Sequence, residues 1–289
     1  MLKKGLDGVI KKYFLSVASA TILWVDLGII SRPANSAVLA LIDDNSIAAF
    51  DASFSENPSN NGMLFWTVDD VNQLFQNWFW YRVGSEGREN SINALNLIGL
   101  DQPTDNQLFF AYASTDFEIA LNFTLDGGTE GSGMSSLLEK ITIKNTGSNS
   151  LDFHFFNYTD FDLTGSGEQD TTKIGSGIIT QSNNFTLAME VIDPASSHYE
   201  VSPVFNILNA LEDNSPTTLA SFAEPLTGDN AFAFQWDFTL EPQKSFSINN
   251  YKSITPAKPV PEPTMTLSLI GFSGLMLLWR LRPFQTYFK

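Results

Sequence analysis

The chain has 289 residues, 43% of them hydrophobic, and a formal net charge of −16, which is enough apolar side chain for a large packed core and excludes a disordered polymer. Between Ala37 and Pro261 there are 8 Lys and Arg against 29 Asp and Glu, a local net charge of −21, and a surface of that sign repels phosphate backbones and argues against nucleic acid as a partner. Without a single cysteine there is neither a disulfide framework nor a thiolate zinc site.

The first element is an apolar run, Tyr13 to Val25, preceded by Lys3, Lys4, Lys11 and Lys12. A basic stretch followed by an apolar one is the layout of a secretory signal, and Asp26 makes a longer membrane-spanning helix costly. Small residues in "RPANSA" offer a cleavage point near Ser36. Residues 1–37 are therefore expected to be a signal peptide read by signal peptidase, the alternative being an uncleaved N-terminal anchor.

From residue 38 to 255, runs of period two recur with turn residues between them. "MLFWTVDD", "QLFFAYAS", "FEIALNFTL", "KITIKNTG", "LDFHFFNYTDF", "NFTLAMEVID" and "AFAFQWDFTL" are the clearest. In "FEIALNFTL", Phe117, Ile119, Leu121, Phe123 and Leu125 fall on one face, as a half-buried antiparallel strand requires. One stretch differs: Val204, Ile207, Leu208 and Leu211 have helical spacing, with Ser202 as N-cap and Pro203 at the first helical position. A short helix is predicted there, at 203–211. No long helical pattern supplies parallel crossovers, so the predicted fold is all-β, a single large antiparallel β-sandwich.

"QNWFWYRVGSEGREN" is the most unusual local sequence. As a strand it turns Trp78, Trp80 and Arg82 one way and Phe79, Tyr81 and Val83 the other. If exposed, the Trp pair beside Arg82 and Glu86 makes a platform on which sugar rings stack; if both faces are covered, the rings are core and Arg82 pairs with a carboxylate. Further on, "YTDFDLTGSGEQD" carries Asp160, Asp162, Glu168 and Asp170 around two glycines. Hard oxygen ligands on a glycine-rich loop suit calcium, although the spacing departs from an EF-hand, and solvated acids in a hairpin turn are the other reading. No other cofactor is suggested. His154 and His198, the only histidines, sit in no nucleophile-elbow or zinc-protease pattern, so each is expected to be structural.

After the Pro-rich linker at 256–263 the charge-free stretch from Thr264 to Trp279 reads as a membrane helix. Its sixteen residues reach about 24 Å, short of the roughly 30 Å hydrocarbon core. Arg280 and Arg282 place its end on the cytoplasmic side and the sandwich outside.

Pro261, Glu262 and Pro263, the apolar stretch and the two arginines together resemble the PEP-CTERM sorting signal of exopolysaccharide-producing Gram-negative bacteria, over about the last thirty residues. That resemblance implies processing by an exosortase, a membrane-embedded protease-transpeptidase, and residence at the cell surface or in the extracellular matrix. An ordinary C-terminal tail anchor is the alternative. Two functional readings follow: a non-enzymatic, exported surface or matrix protein whose sandwich binds extracellular polysaccharide, and a secreted carbohydrate-active enzyme using a pair of acids.

Overall fold

The computed structural model describes residues 38–257, Ala223 excepted, and of Glu168 the backbone alone. The expected signal segment at 1–37, the triplet Pro261, Glu262 and Pro263, the apolar stretch after it, and Arg280 and Arg282 lie outside the described residues. Among the described residues, no helix is long and apolar enough to cross a membrane.

In chain order the strands are β1 (Val38–Asp43), β2 (Ser46–Asp51), β3 (Gly62–Val68), β4 (Val71–Asn72), β5 (Gln76–Val83), β6 (Asn90–Ser91), β7 (Asn96–Thr104), β8 (Gln107–Ala113) and β9 (Phe117–Gly127). They continue with β10 (Ser135–Asn145), β11 (Leu151–Asp160), β12 (Thr171–Gly175), β13 (Ile178–Ser182), β14 (Thr186–Asp193), β15 (His198–Pro203), β16 (Leu226–Thr227), β17 (Asn230–Leu240) and β18 (Ser245–Pro256). Sheet A runs β1-β2-β3-β5-β11-β17-β15, with β4 and β6 paired onto β3 and β5; sheet B runs β16-β12-β13-β14-β18-β10-β9-β8-β7. The pairings are antiparallel. The predicted all-β sandwich is the architecture.

Alternation explains how the sheets meet. Phe117, Ile119, Leu121, Phe123 and Leu125 of β9 are all buried, with Asn122 exposed between them. Across the gap, Phe50 of sheet A packs on Phe123 at 4.6 Å between ring centroids, and Phe153 meets Phe117 edge-on at 5.1 Å. Each large apolar side chain buried in this way contributes about 1.5–3 kcal/mol.

The seam between β3 and β5 is narrow, a single pairing of Met63 with Asn77. There Trp78 turns into the core, its ring 6.5 Å from those of Phe110 and Tyr112 on β8. Gly62, at φ +81°, lies against the indole, and a Cβ at that position would overlap it. Both the backbone conformation and the close approach require glycine.

A polar network sits in the middle of this apolar interlayer. Glu139 of β10, Glu190 of β14 and Lys252 of β18 are each 1% exposed or less, with Lys252 Nζ 2.7 Å from Glu139 Oε2 and 3.3 Å from Glu190 Oε2. From sheet A, Asn77 donates to Glu139 Oε1 at 2.6 Å and Thr159 donates to Glu190 Oε2 at 3.3 Å. Asn250 Nδ2 lies within 3.0 Å of oxygens on Glu139, Asn157 and Glu190. Ionic groups this deep persist only when paired and hydrogen-bonded, and here the partners come from both sheets.

The helix differs from the expectation. Ser202 and Pro203 belong to β15, where Pro203 pairs with Asn230, so their backbone is extended and Ser202 caps nothing. The chain turns at Phe205 (φ 67°) into helix α1 (Asn206–Glu212). Its buried residues, Ile207, Leu208 and Leu211, are three of the four that the apolar spacing marks; the fourth, Val204, lies half-buried before the helix begins.

Candidate functional site

Cross-strand partners share a face, so register defines the outer surface of sheet A. Trp80, Phe156, Gln235 and His198 form one row across β5, β11, β17 and β15, and Arg82, His154 and Asp237 form the next. The sequence places Trp78, Trp80 and Arg82 on one face; Trp80 and Arg82 share it, whereas Trp78 turns through the β3/β5 seam to Phe110 and Tyr112, and the shared face is roofed over. Trp80 Nε1 donates to Glu212 Oε1 of α1 at 2.6 Å, and Arg82 Nε is 2.9 Å from Glu89 Oε1. Glu89 Oε1 also accepts from the backbone N–H of Thr217 at 2.9 Å.

These contacts correct the stacking-platform expectation. Trp78 and Trp80 are both 0% exposed and offer no ring to a ligand, because Trp78 fills the β3/β5 seam and Trp80 lies beneath α1. The alternative reading, core rings with Arg82 paired to a carboxylate, is the arrangement found.

The other two residues of that expectation do come together. Arg82 and Glu86 line an open cleft of about 430 Å³ between the 81–90 segment and the turn leading into β9. Glu86, Arg88, Asn90 and Asp116 supply its polar groups, while half-buried Tyr81 supplies ring surface, backed by the buried Phe117 in edge contact at 5.2 Å. Arg88 is held loosely, 3.4 Å from Glu212 Oε2 with its side chain 44% exposed. Carboxylates, guanidinium and amide beside ring surface are the donor and acceptor set that suits a ligand rich in hydroxyls on a carbon ring.

The two histidines are not independent, although nothing in the sequence connects them. His154 Nδ1 is 2.6 Å from Asp237 Oδ1 and His198 Nε2 is 3.4 Å from Asp237 Oδ2. Ser221 Oγ lies 3.1 Å from His198 Nδ1, and Gln235 Nε2 donates to Asp237 Oδ1 at 2.8 Å. Pairing of β11 with β17 and of β15 with β17 builds this cluster; the sequence signal is only that a histidine or aspartate occupies an outward position in each strand.

The loop after β11 is not a hairpin turn of solvated acids. It carries the chain from sheet A to sheet B through two 3-10 turns, Leu163–Gly165 and Gly167–Gln169. Of the acids expected to bind calcium, Asp160 and Asp162 do converge, but their third neighbour is Asp229, before β17; one ligand atom from each lies within 4.8 Å of the others. Asp170 is used otherwise: it accepts from Leu163 N, Gln181 Nε2 and Asn183 Nδ2 at 3.2, 2.8 and 3.0 Å, holding the loop closed. The side chain of Glu168 lies outside the described residues.

Burial, then the charge of Asp229, pushes the Asp162 carboxyl up to about 6. Burial followed by the charges of Asp162 and Asp229 holds Asp160 well above the usual carboxylate range. In the core, burial raises Glu139 to about 6, with Lys252 opposing the rise and Glu190 adding to it. A carboxyl raised in the folded state binds its proton more tightly there than in the unfolded chain. Its stabilisation is complete below the ordinary carboxylate range and is lost as pH rises through about 6. Urea denaturation in metal-free buffer is thus expected to show greater stability near pH 5 than near pH 7.5, by about 1 kcal/mol from Glu139 alone. Stability that is flat or rises over that interval would contradict the assignment.

No protein-family model and no curated protein matches this chain. Its fold is similar to that of a bacterial glucoamylase in complex with acarbose, at TM-score 0.55 and 9% identity over 88% of this chain and 38% of that one. It is also similar to a putative aldose 1-epimerase from Escherichia coli K12, at TM-score 0.52 and 9% identity over 76% of this chain and 99% of the other. A GalM/aldose epimerase homologue from C. elegans aligns at TM-score 0.51 and 8% identity, over 78% of this chain and 100% of its own. The chain spans about two fifths of the glucoamylase's length and nearly all of the epimerase's. At such identities the likeness is one of fold alone.

Proposed function

We propose that the protein is an exported cell-surface or matrix protein whose sandwich binds extracellular carbohydrate, without catalysis, in the cleft formed by Tyr81, Glu86, Arg88, Asn90, Asp116 and Phe117. The observation that carries the reading is this cleft, a concave mixture of carboxylate, guanidinium and ring surface on a sandwich of a fold used by carbohydrate-acting proteins. Its volume of about 430 Å³ falls within the roughly 300–1,000 Å³ of small-ligand sites. Fold alone would be a weak warrant, since one sandwich serves many functions. Export rests on the N-terminal signal pattern and on the PEP-CTERM resemblance, with signal peptidase and an exosortase-type protease as processing partners.

Binding of the full-length protein to an array of bacterial and plant polysaccharides tests the cleft. Arg88→Ala and Glu86→Ala are expected to weaken binding by about 10-fold to 100-fold each, the cost of removing a charged hydrogen-bonding partner, with the melting temperature little changed. Binding that survives both substitutions would remove the cleft from the reading. One observation favours the enzymatic alternative, that Glu86 and Asp116 both line the cleft. Release of reducing sugar, abolished by Glu86→Gln or Asp116→Asn, would establish that alternative.

A further inference from the structure

We propose that Asp160, Asp162 and Asp229 form a binding site for one hard divalent cation, calcium by its coordination chemistry, at the end of sheet A where β11 leaves and β17 enters. The proposal does not depend on the carbohydrate reading. Asp160 closes β11, Asp162 follows two residues later, and Asp229 immediately precedes β17, which pairs with β11 through Thr159 and Phe232. Strand pairing thereby brings one oxygen of each carboxylate within 4.8 Å of the other two, although Asp229 is far away in sequence.

Proximity of acids alone would be unremarkable on so acidic a chain. The second observation is the state of Asp160, which is 1% exposed. Its Oδ2 accepts from the Tyr158 hydroxyl at 3.3 Å, whereas its Oδ1 has no hydrogen-bond partner. Folded proteins rarely bury an acceptor in that condition unless something else satisfies it. A third observation concerns space. A Cβ on Gly167 would crowd Asp162 Oδ1 at 2.9 Å and Asp229 Oδ1 at 3.1 Å, so the two oxygens lie on the same side of that glycine and need it there. The charges bearing on Asp160 are those of Asp162 and Asp229, and a cation relieves that repulsion as a proton does at lower pH.

The donor set selects the cation class. Three carboxylates with neither imidazole nor thiolate suit a hard ion. Calcium accepts six to eight oxygens in flexible geometry, whereas magnesium demands a tight octahedron. Asp229 is exposed, which leaves the outer side of the site open for water to complete the shell.

Melting of the full-length protein, freed of metal with a chelator and titrated with calcium chloride alone from about 0.1 to about 10 mM, tests the site. At about ten times the dissociation constant, the melting temperature is expected to rise by about 3–6 °C. Magnesium should produce a smaller rise, and titration calorimetry should give one calcium per chain. Asp229→Asn, an exposed change, should abolish the rise that calcium produces in the parent. Absence of both the rise and the binding heat up to about 10 mM would overturn the proposal. It would be equally overturned if Asp229→Asn and Asp162→Asn responded to calcium as the parent does, for the ion would then be held elsewhere on the acidic surface.

Discussion

Replacing Lys252 by methionine is expected to destabilise the fold by about 3–5 kcal/mol at neutral pH, the cost of leaving buried carboxylates without their cation. Lys252 is 0% exposed and lies within ion-pair distance of both Glu139 and Glu190. Methionine fills similar volume, so the loss is electrostatic more than steric. The penalty should shrink near pH 5, because Glu139, raised to about 6 by burial before any other influence, then carries a proton. Combining Lys252→Met with Glu139→Gln and Glu190→Gln should recover part of the stability lost by Lys252→Met alone. Urea denaturation of the variants at both pH values is the measurement. A cost under about 1 kcal/mol, or one independent of pH, would show that the network is not the ionic pairing described.

The second large effect lies at Trp80. Trp80→Ala is expected to cost about 3–5 kcal/mol, as for other large aromatic truncations in a packed interior. The side chain is fully buried, meets Tyr158 edge-on at 6.0 Å and donates its indole N–H to Glu212. Trp80→Phe retains most of the apolar area and loses the hydrogen bond, so about 1–3 kcal/mol is expected. The two substitutions separate packing from anchoring of α1, which amide hydrogen exchange over 206–212 would report directly. Trp80→Ala with native stability would return the ring to the surface and revive the stacking platform.

Period-two alternation made much of the fold readable. The inward faces of β9, β11 and β17 can be written down from Phe117 to Leu125, Phe153 to Thr159 and Phe232 to Phe238, because each strand keeps one face on the core over most of its length. Alternation also carried a signal that is easy to pass over: Glu139 stands at an inward position between Leu137 and Ile141, and Lys252 between Asn250 and Ile254. A charge in an inward register marks a buried network, but its partners sit on strands distant in sequence and cannot be named without pairing. The same limit hid Asp229, an acid in a short turn until β17 meets β11, and it hid the convergence of His154 and His198 on Asp237. For Trp80 and Arg82 the shared face was legible and its covering was not. The roof consists of Glu89, the Glu212 end of α1 and the stretch around Thr217, brought over the face by contacts between residues distant in sequence, Trp80 with Glu212 and Glu89 with Thr217. In the helix, Ile207, Leu208 and Leu211 were right, while Val204 and the start were wrong, since a strand pairing at Pro203 outweighed a local capping preference.

Sheet B has a further consequence in its order of assembly. The meander β7 to β10 and the meander β12 to β14 stand side by side only through β18, which pairs with β10 on one edge and β14 on the other. The last strand of the domain is therefore a central strand, and it also brings Asn250 and Lys252 to the acids that await them. A chain emerging N-terminus first can form local hairpins but cannot join the halves of this sheet until residue 256 is free. Such late, long-range closure favours slow folding. Removing β18 altogether would leave open edges at β10 and β14 in place of a slightly smaller domain.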